Sequence, residues 1–253
     1  MSYYFGLLLK DLIILCTDRT AVRYPEKILT SDAERYFRPF PNLMMVPTGY
    51  LPFAGTVASI MAKLGCEGRT FDIQNLLRKK EEFKDLVNFS FSDAKRKNGK
   101  TGPSFNSDIL FGGISPDGVK FISAISSTDN FELQICSQPG SYICLRHEPD
   151  ILAEVRDRIE FYLEVTTPAP IHLEIKKMVA KKYFPKILHR ISEKDFRVSR
   201  SGDLIFIDSS GYSVEEFGKG SDLKSPQGGI IRHEEASRMS SAYVSKSPYS
   251  DTG

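Results

Sequence analysis

The first eighteen residues constrain the fold of this chain more than any other segment. An apolar run from Tyr3 to Leu9 is followed by the polar pair Lys10-Asp11 and by a second apolar run from Leu12 to Cys16. Two short apolar runs on either side of a polar pair are typical of a β-hairpin. The second run ends in Thr17-Asp18-Arg19, so the hairpin is expected to carry an acidic-basic pair at its end.

Ser2 stands directly in front of this hairpin, after Met1. A small second residue permits an aminopeptidase to remove the methionine, which would leave Ser2 with a free α-amine. A residue that carries both a hydroxyl and an α-amine can act as its own nucleophile and base. Ser2 is therefore the first candidate catalytic residue.

Composition limits the classes of protein to which the chain can belong. Its 253 residues are 41% hydrophobic, which allows one sizeable domain or two small ones with a proper core. A formal net charge of +2 does not call for a nucleic-acid or anionic-membrane partner. No apolar run approaches the roughly 18 residues that span a bilayer, so we expect a soluble, cytoplasmic protein without a membrane partner.

Cysteine and histidine patterns give no sign of a cofactor. The four cysteines are scattered without a CxxC pair, which favours reduced thiols in the cytosol; a disulfide between Cys136 and Cys144 is the alternative. The four histidines lack the spacing of metal ligands. We predict neither a metal nor a cofactor.

Hydrophobic periodicity predicts alternating groups of strands and helices after the first hairpin. The predicted elements are a strand at 43–48, an amphipathic helix over 51–65, a second helix over 71–87, a hairpin of 108–114 and 119–125, a strand at 131–135, a helix over 149–165, a strand or a neighbouring helix at 171–175, and a strand at 203–208. Residues 92–107 are polar and basic and are expected to form a surface loop. The hairpin turn Ser115-Pro-Asp-Gly118 has proline and Asp-Gly in their usual places.

This order of elements indicates an α+β protein in which packed antiparallel sheets are covered by helices, and not a parallel sheet of the Rossmann type. We predict one domain over residues 1–208. Residues 209–253 are rich in serine and glycine and are expected to form a largely disordered tail.

Several stretches in the same order resemble the proteasome β-type family of N-terminal nucleophile hydrolases, nearest to the bacterial proteasome-like Anbu group. They are Ser2 at the start of the first strand, Thr17-Asp18-Arg19-Thr20 at the end of the hairpin, the segment 35–49 that ends in a glycine, the central hairpin 108–125, and the segments 131–135 and 167–175. The resemblance covers roughly residues 2–176 and rests on the ordered set of segments more than on any one motif.

The resemblance implies a four-layer αββα sandwich of two antiparallel sheets and assembly into a homo-oligomeric ring or open helix. It also implies hydrolysis of an amide in a peptide or protein substrate, with Ser2 as the nucleophile. Asp18 would hold nearby positive charge in place, and the Gly49 N–H would donate to the oxyanion. Arg35 would take the position of the family's lysine, with Glu34 as the alternative alignment.

The resemblance further implies helper residues around the nucleophile. The candidates are Arg19, Ser137, Ser141, Thr166 and Thr167. Serine replaces the family's usual threonine, and arginine cannot release its proton as a lysine can. Two hypotheses follow from the resemblance: an active N-terminal serine peptidase, and a catalytically degenerate relative that serves as a structural or assembly subunit. A third hypothesis is an unrelated α/β binding protein.

Overall fold

A computed structural model describes residues 3–23, 28–30, 35–97, 106–145, 149–166, 171–195 and 198–218. Its strands, in chain order, are β1 (Tyr4–Leu8), β2 (Ile13–Asp18), β3 (Ala21–Arg23), β4 (Ile28–Thr30), β5 (Phe37–Phe40), β6 (Leu43–Gly49), β7 (Cys66–Glu67), β8 (Thr70–Phe71), β9 (Ser107–Ile114), β10 (Lys120–Ser126), β11 (Gln134–Cys136), β12 (Tyr142–Leu145), β13 (Gly202–Asp208) and β14 (Gly211–Phe217). Its helices are α1 (Pro52–Gly65), α2 (Ile73–Arg78), α3 (Lys80–Lys97), α4 (Pro149–Thr166) and α5 (Leu173–Lys194).

Two five-stranded antiparallel sheets organise these elements. Sheet 1 has the strand order β12-β1-β2-β13-β14, and sheet 2 has the order β11-β10-β9-β6-β5. The short pairs β3-β4 and β7-β8 form separate ribbons. The predicted α+β class with antiparallel sheets is therefore confirmed.

Apolar side chains on both faces of each sheet create three core regions. One face of sheet 1 packs on α4 and α5, where Phe5 and Leu7 meet Phe184 and Ile187. The outer face of sheet 2 packs on α1, α2 and α3. The inner faces of the two sheets pack on each other. From one side to the other, the order is helices, sheet 1, sheet 2 and helices.

Alternation along β1 shows how the sequence builds these layers. Successive side chains of a strand point to opposite faces, so Tyr3 packs toward the helices and Tyr4 packs between the sheets. Glycines permit close approach between the sheets. A Cβ atom at Gly6 would lie 3.1 Å from Leu110 Cδ1, and one at Gly112 would lie 3.2 Å from Ile13 Cγ2.

Both predicted hairpins are confirmed. Strands β1 and β2 pair with Tyr4 opposite Thr17, and β9 and β10 pair with Ile114 opposite Lys120. The predicted helices over 51–65 and 149–165 correspond to α1 and α4, and the predicted strand at 43–48 to β6.

Other predicted elements need correction. The helix predicted over 71–87 is divided at Lys79 into α2 and α3, and α3 continues to Lys97. Residues 92–97 are therefore helical, residue 107 begins β9, and 98–105 lie outside the described residues. The strand predicted at 131–135 begins later, at Gln134, because Asn130 and Phe131 adopt positive φ and turn the Phe131 ring into the core.

The C-terminal part of the chain contains more regular structure than the sequence predicts. Segment 171–175 is the start of the long helix α5, as the alternative interpretation allowed. Strand β14 lies inside the predicted disordered tail and pairs along its whole length with β13, so ordered structure continues at least to Phe217. Residues 219–253 lie outside the described part of the chain. Among the residues that the structure describes, the helices are too short or too polar to cross a bilayer.

Candidate active site

The candidate site begins with Asp18, the last residue of β2. Its backbone N–H donates to Tyr3 O at 3.0 Å, as an antiparallel ladder requires. In a regular ladder the Tyr3 N–H would donate to the backbone oxygen of Asp18. Here it donates to the carboxylate oxygen Asp18 Oδ1 at 2.8 Å. A fully buried carboxylate thus holds the peptide nitrogen through which Tyr3 is bonded to Ser2.

The second carboxylate oxygen of Asp18 binds two further backbone groups. Thr20 N donates to Asp18 Oδ2 at 3.1 Å, and Ser199 N donates to the same oxygen at 3.3 Å. Burying a carboxylate is costly unless hydrogen bonds compensate its charge, and these N–H groups supply that compensation. The bond from Ser199 also ties the segment between α5 and β13 to the end of β2.

Arg35 supplies a cation next to Asp18. It precedes β5, its side chain is only 5% exposed, and its Nη1 lies 3.8 Å from Asp18 Oδ1. Burial lowers the pKa of Arg35 below its usual value, while Asp18 and Tyr4 favour the charged form. An arginine keeps its proton even so, which makes this group a fixed positive charge. The predicted pairing of Asp18 with a cation at position 35 is present.

Two buried hydroxyls lie next to this ion pair. Ser199 Oγ and Ser201 Oγ are 2.6 Å apart, and Ser201 N donates to Ser199 Oγ at 3.0 Å. Both side chains are buried, and neither was a sequence-based candidate. They were missed because Ser199 is separated from Asp18 by 181 positions, and only the pairing of β13 with β2 brings them together.

Arg19, a predicted helper, binds carboxylates of two other strands. Its guanidinium makes a two-point contact with the buried carboxylate of Asp203, with Nε to Oδ2 at 2.9 Å and Nη2 to Oδ1 at 2.7 Å. It also forms an ion pair with Glu216. Since Asp203 belongs to β13 and Glu216 to β14, Arg19 fixes the strands behind the site and does not contact the Asp18 carboxylate in any of these bonds.

Gly49 ends β6, where Tyr50 N donates to Asn106 O at 3.0 Å. Tyr50 and Asn106 thus form a hydrogen-bonded pair of the antiparallel ladder. The next pair, Gly49 and Ser107, is not hydrogen-bonded, so the Gly49 N–H points away from β9. Its N–H is directed to the side of β5, the strand that Arg35 precedes. Glycine is required because φ is +78° and a Cβ atom would lie 1.9 Å from Asn106 O.

Ser141, another predicted helper, is far from Asp18. Leu8 N donates to Ser141 O at 2.9 Å, so Ser141 lies at the opposite end of β1. From Tyr3 to Leu8 an extended strand covers about 17 Å. Ser137 follows β11 beside the beginning of β10, whereas Gly49 lies at the end where β10 finishes. Because neighbouring strands run in opposite directions, the structure does not bring these two serines together with Asp18 and Gly49.

Thr166 is also at the wrong end of the molecule. Its Oγ1 donates to Tyr162 O at 2.7 Å, and Tyr162 OH donates to Lys176 O at 3.0 Å. The Lys176 ammonium binds Asp11, in the turn between β1 and β2. The threonine therefore caps α4 near this turn and does not reach the Asp18 end of the hairpin.

Ser2, Glu34 and Thr167 lie outside the described residues. In the part of the chain that is described, no group of three or more His, Cys, Asp or Glu side chains is arranged to hold a metal ion. All four cysteines are free thiols, and burial raises the pKa of Cys144 to about 12.

The assembled site contains a buried anion, a buried cation and a pair of hydroxyls at the start of β1. Such a group can fix the peptide nitrogen of Tyr3 and supply positive charge beside the carboxylate that binds it. No model of a known protein family matches the chain, and no curated protein is found to be similar to it.

Proposed function

We propose that this chain is an N-terminal nucleophile amidohydrolase of the proteasome-like type, with the αββα sandwich of that class, and that Ser2 is its nucleophile after removal of Met1. The observation that carries the proposal is the hydrogen bond from Tyr3 N to the buried Asp18 carboxylate. It supports the proposal because the nitrogen so held is one covalent bond away from Ser2.

The free α-amine of Ser2 would act as the general base. An unperturbed α-amine has a pKa of about 7.7–8.0, so part of it is neutral near pH 7. It would accept the Ser2 Oγ proton while Oγ bonds to the carbonyl carbon of the substrate. The proton then passes to the leaving amine as the C–N bond breaks. Water hydrolyses the resulting ester and restores the hydroxyl.

Arg35 and Gly49 would assist this reaction through charge. A fixed cation beside the amine disfavours the ammonium form and lowers its pKa toward neutrality. The Asp18 carboxylate, 3.8 Å from Arg35 Nη1, would keep that cation in place. The Gly49 N–H, directed away from β9, would donate to the oxyanion; a donor in that role contributes about 3–4 kcal/mol.

The substrate class that follows from this chemistry is a peptide or protein amide, cleaved without a cofactor. We place the reaction in the cytoplasm, in a homo-oligomer that forms a ring or an open helix, because the same resemblance that suggests the nucleophile suggests these properties.

The second candidate function is that of a catalytically degenerate structural or assembly subunit. The observation that favours it is the nature of the cation: Arg35 cannot transfer a proton, whereas a lysine can. The two functions differ in whether Ser2 reacts.

The deciding experiment combines intact-mass measurement with an N-terminal-directed electrophile, a β-lactone. The expected result is a mass lacking methionine and a single adduct on Ser2 that is absent in Ser2→Ala and present in Ser59→Ala, a control at an exposed helical serine. Retained Met1, or a processed Ser2 that forms no adduct, would reject the amidohydrolase and leave the degenerate subunit.

A further inference from the structure

Strand β14 is the long, regular edge among the four edges of the two sheets. Its one neighbour among the described strands is β13, and the two pair without a register shift over all seven residues of β14. The other edge strands are shorter, with four residues in β12, three in β11 and four in β5, which also has a proline and a register shift. Short strands, prolines and bulges protect a sheet edge from further pairing. The edge best suited to accept another strand is therefore β14.

Alternate residues of β14 direct their backbone groups to this open edge. Arg19 N donates to Ser201 O at 3.2 Å, so the backbone of Ser201 faces β2 and that of the next residue, Gly202, faces β14. Gly202 pairs with Phe217, and the direction alternates along the ladder. The residues whose N–H and C=O groups face away from β13 are therefore Tyr212, Val214 and Glu216.

The side chains of β14 determine what an added strand should carry. On the outer face of sheet 1, Phe217 packs at the margin of the helical core, and Glu215 is 46% exposed. On the inner face, Val214 packs between the sheets, and the guanidinium of Arg38 lies over the exposed Tyr212 ring at 4.5 Å from its centre. A complementary strand would offer an apolar group and a cation on the outer face and an anion on the inner face.

The chain leaves β14 through a stretch with the composition of a turn. Gly218 has φ +68°, and residues 219–229 contain three glycines, two serines and a proline. Such residues are typical of a connection that reverses the chain direction. The segment that follows, 230–235, has the sequence Ile-Ile-Arg-His-Glu-Glu. A chain that reverses after Gly218 would bring this segment alongside the open edge of β14.

One antiparallel register matches the segment to the outer face of β14. With Ile230 opposite Phe217, two apolar side chains lie next to each other, and Arg232 falls opposite Glu215. Glu215 binds Lys181 at 2.6 Å in the structure, and its exposed carboxylate can also accept a second cation. Opposite charges on neighbouring strands stabilise their pairing.

The inner face agrees with the same register. Glu235 falls opposite Tyr212, close to the Arg38 guanidinium that covers the tyrosine ring. A slip of one residue would exchange the two faces of the segment and lose the matches on both. The apolar pair and the two charge pairs therefore select one register.

We propose that residues 230–235 form a sixth strand of sheet 1, antiparallel to β14, and so close its open edge. The covalent connection favours this occupant over a second copy or another protein, because a short linker holds the segment at an effective concentration of about millimolar. The added strand would protect the edge from pairing with other chains. The proposal does not depend on the proposed hydrolase activity, because none of the residues matched in this register takes part in the proposed reaction.

Amide hydrogen exchange followed by NMR tests the proposal on the full chain. The Val214 and Glu216 amides should exchange about 100-fold more slowly in the full chain than in a variant truncated after Gly218, because the added strand accepts their hydrogens. The Ser213 and Glu215 amides donate to β13 and should be equally protected in both proteins. Their protection also shows that the truncated protein is folded.

A full-length variant provides a second measurement. Ile230→Asp/Ile231→Asp should lose the same protection at Val214 and Glu216. The matched control Ala242→Asp/Val244→Asp introduces the same charges elsewhere in the tail and should keep it.

Equal exchange at Val214 and Glu216 in the full-length and truncated proteins would overturn the proposal. Protection that needs the tail but survives Ile230→Asp/Ile231→Asp would overturn the choice of segment. Protection that survives truncation and falls on dilution would identify a second copy on the edge. Protection that appears only after an extended peptide from another protein is added would identify an external partner, and either of these results would also overturn the proposal.

Discussion

Replacing Asp18 by asparagine tests whether its buried carboxylate holds the two sheets together at the candidate site. The carboxylate accepts N–H groups from Tyr3, Thr20 and Ser199 and lies 3.8 Å from the Arg35 guanidinium. Asparagine keeps one acceptor oxygen. Its NH2 group replaces the other oxygen and faces N–H donors that it cannot accept. It also leaves the buried Arg35 without the Asp18 negative charge.

The magnitude follows from these losses. A hydrogen bond to a charged group contributes about 1.5–3 kcal/mol, and removing one member of a buried ion pair costs about 3–5 kcal/mol. We therefore expect Asp18→Asn to lower the free energy of unfolding by about 4 kcal/mol and the midpoint of thermal unfolding by about 10 °C. Urea and thermal unfolding followed by circular dichroism measure both quantities.

The matched control is Asp117→Asn. Asp117 Oδ1 also accepts a backbone N–H, from Val119 at 3.2 Å, but in an exposed turn, so we expect a loss below about 1 kcal/mol. A double-mutant cycle with Arg35→Met should give a coupling of about 2 kcal/mol between positions 18 and 35. If Asp18→Asn is no more damaging than Asp117→Asn, the carboxylate does not stabilise this end of the sandwich and our reasoning fails.

Two further predictions concern a glycine and an acidic side chain. Gly49→Ala should lower the free energy of unfolding by about 3 kcal/mol, because it adds a clash with Asn106 O to the cost of positive φ. The control Gly118→Ala, at φ +84° with open space around it, should lower it by about 1 kcal/mol. Equal losses in urea unfolding would refute the clash. A hydrogen bond from Lys194 lowers the pKa of Glu154 below its ordinary value of 4.5. The stability gained from that shift is complete above pH 4.5 and is lost as the pH falls further, so Glu154→Gln should flatten the acid side of the stability–pH curve, and an unchanged slope would contradict it.

Local patterns predict the fold wherever neighbouring residues decide the structure. The hairpin of β9 and β10 follows from alternating apolar residues around a Pro-Asp-Gly turn, and α1 follows from its apolar spacing. Segment 171–175 alternates like a strand, yet Leu173 begins a helix whose apolar side is covered by sheet 1. The serine and glycine residues around β14 make its strand pattern hard to recognise in the sequence. The strand forms because it pairs with β13.

The candidate site is less accessible to sequence reasoning because it consists of contacts between distant segments. Asp18 follows from the end of the hairpin, and Arg35 from the family resemblance. Ser199 is adjacent only because β13 pairs with β2. The helper serines at 137 and 141 lie away from Asp18, because sequence proximity to a hairpin does not tell which end of a sheet a residue occupies.

The two glycines between the sheets have a consequence for the candidate site. Asp18 belongs to one sheet and Arg35 leads into the other, so the gap between anion and cation depends on how closely the sheets stack. That stacking distance is limited near Gly6 and Gly112, where an added methyl group would press against Leu110 or Ile13. Variation at these remote glycines would therefore change the electrostatics of the candidate site while every residue in it stayed the same.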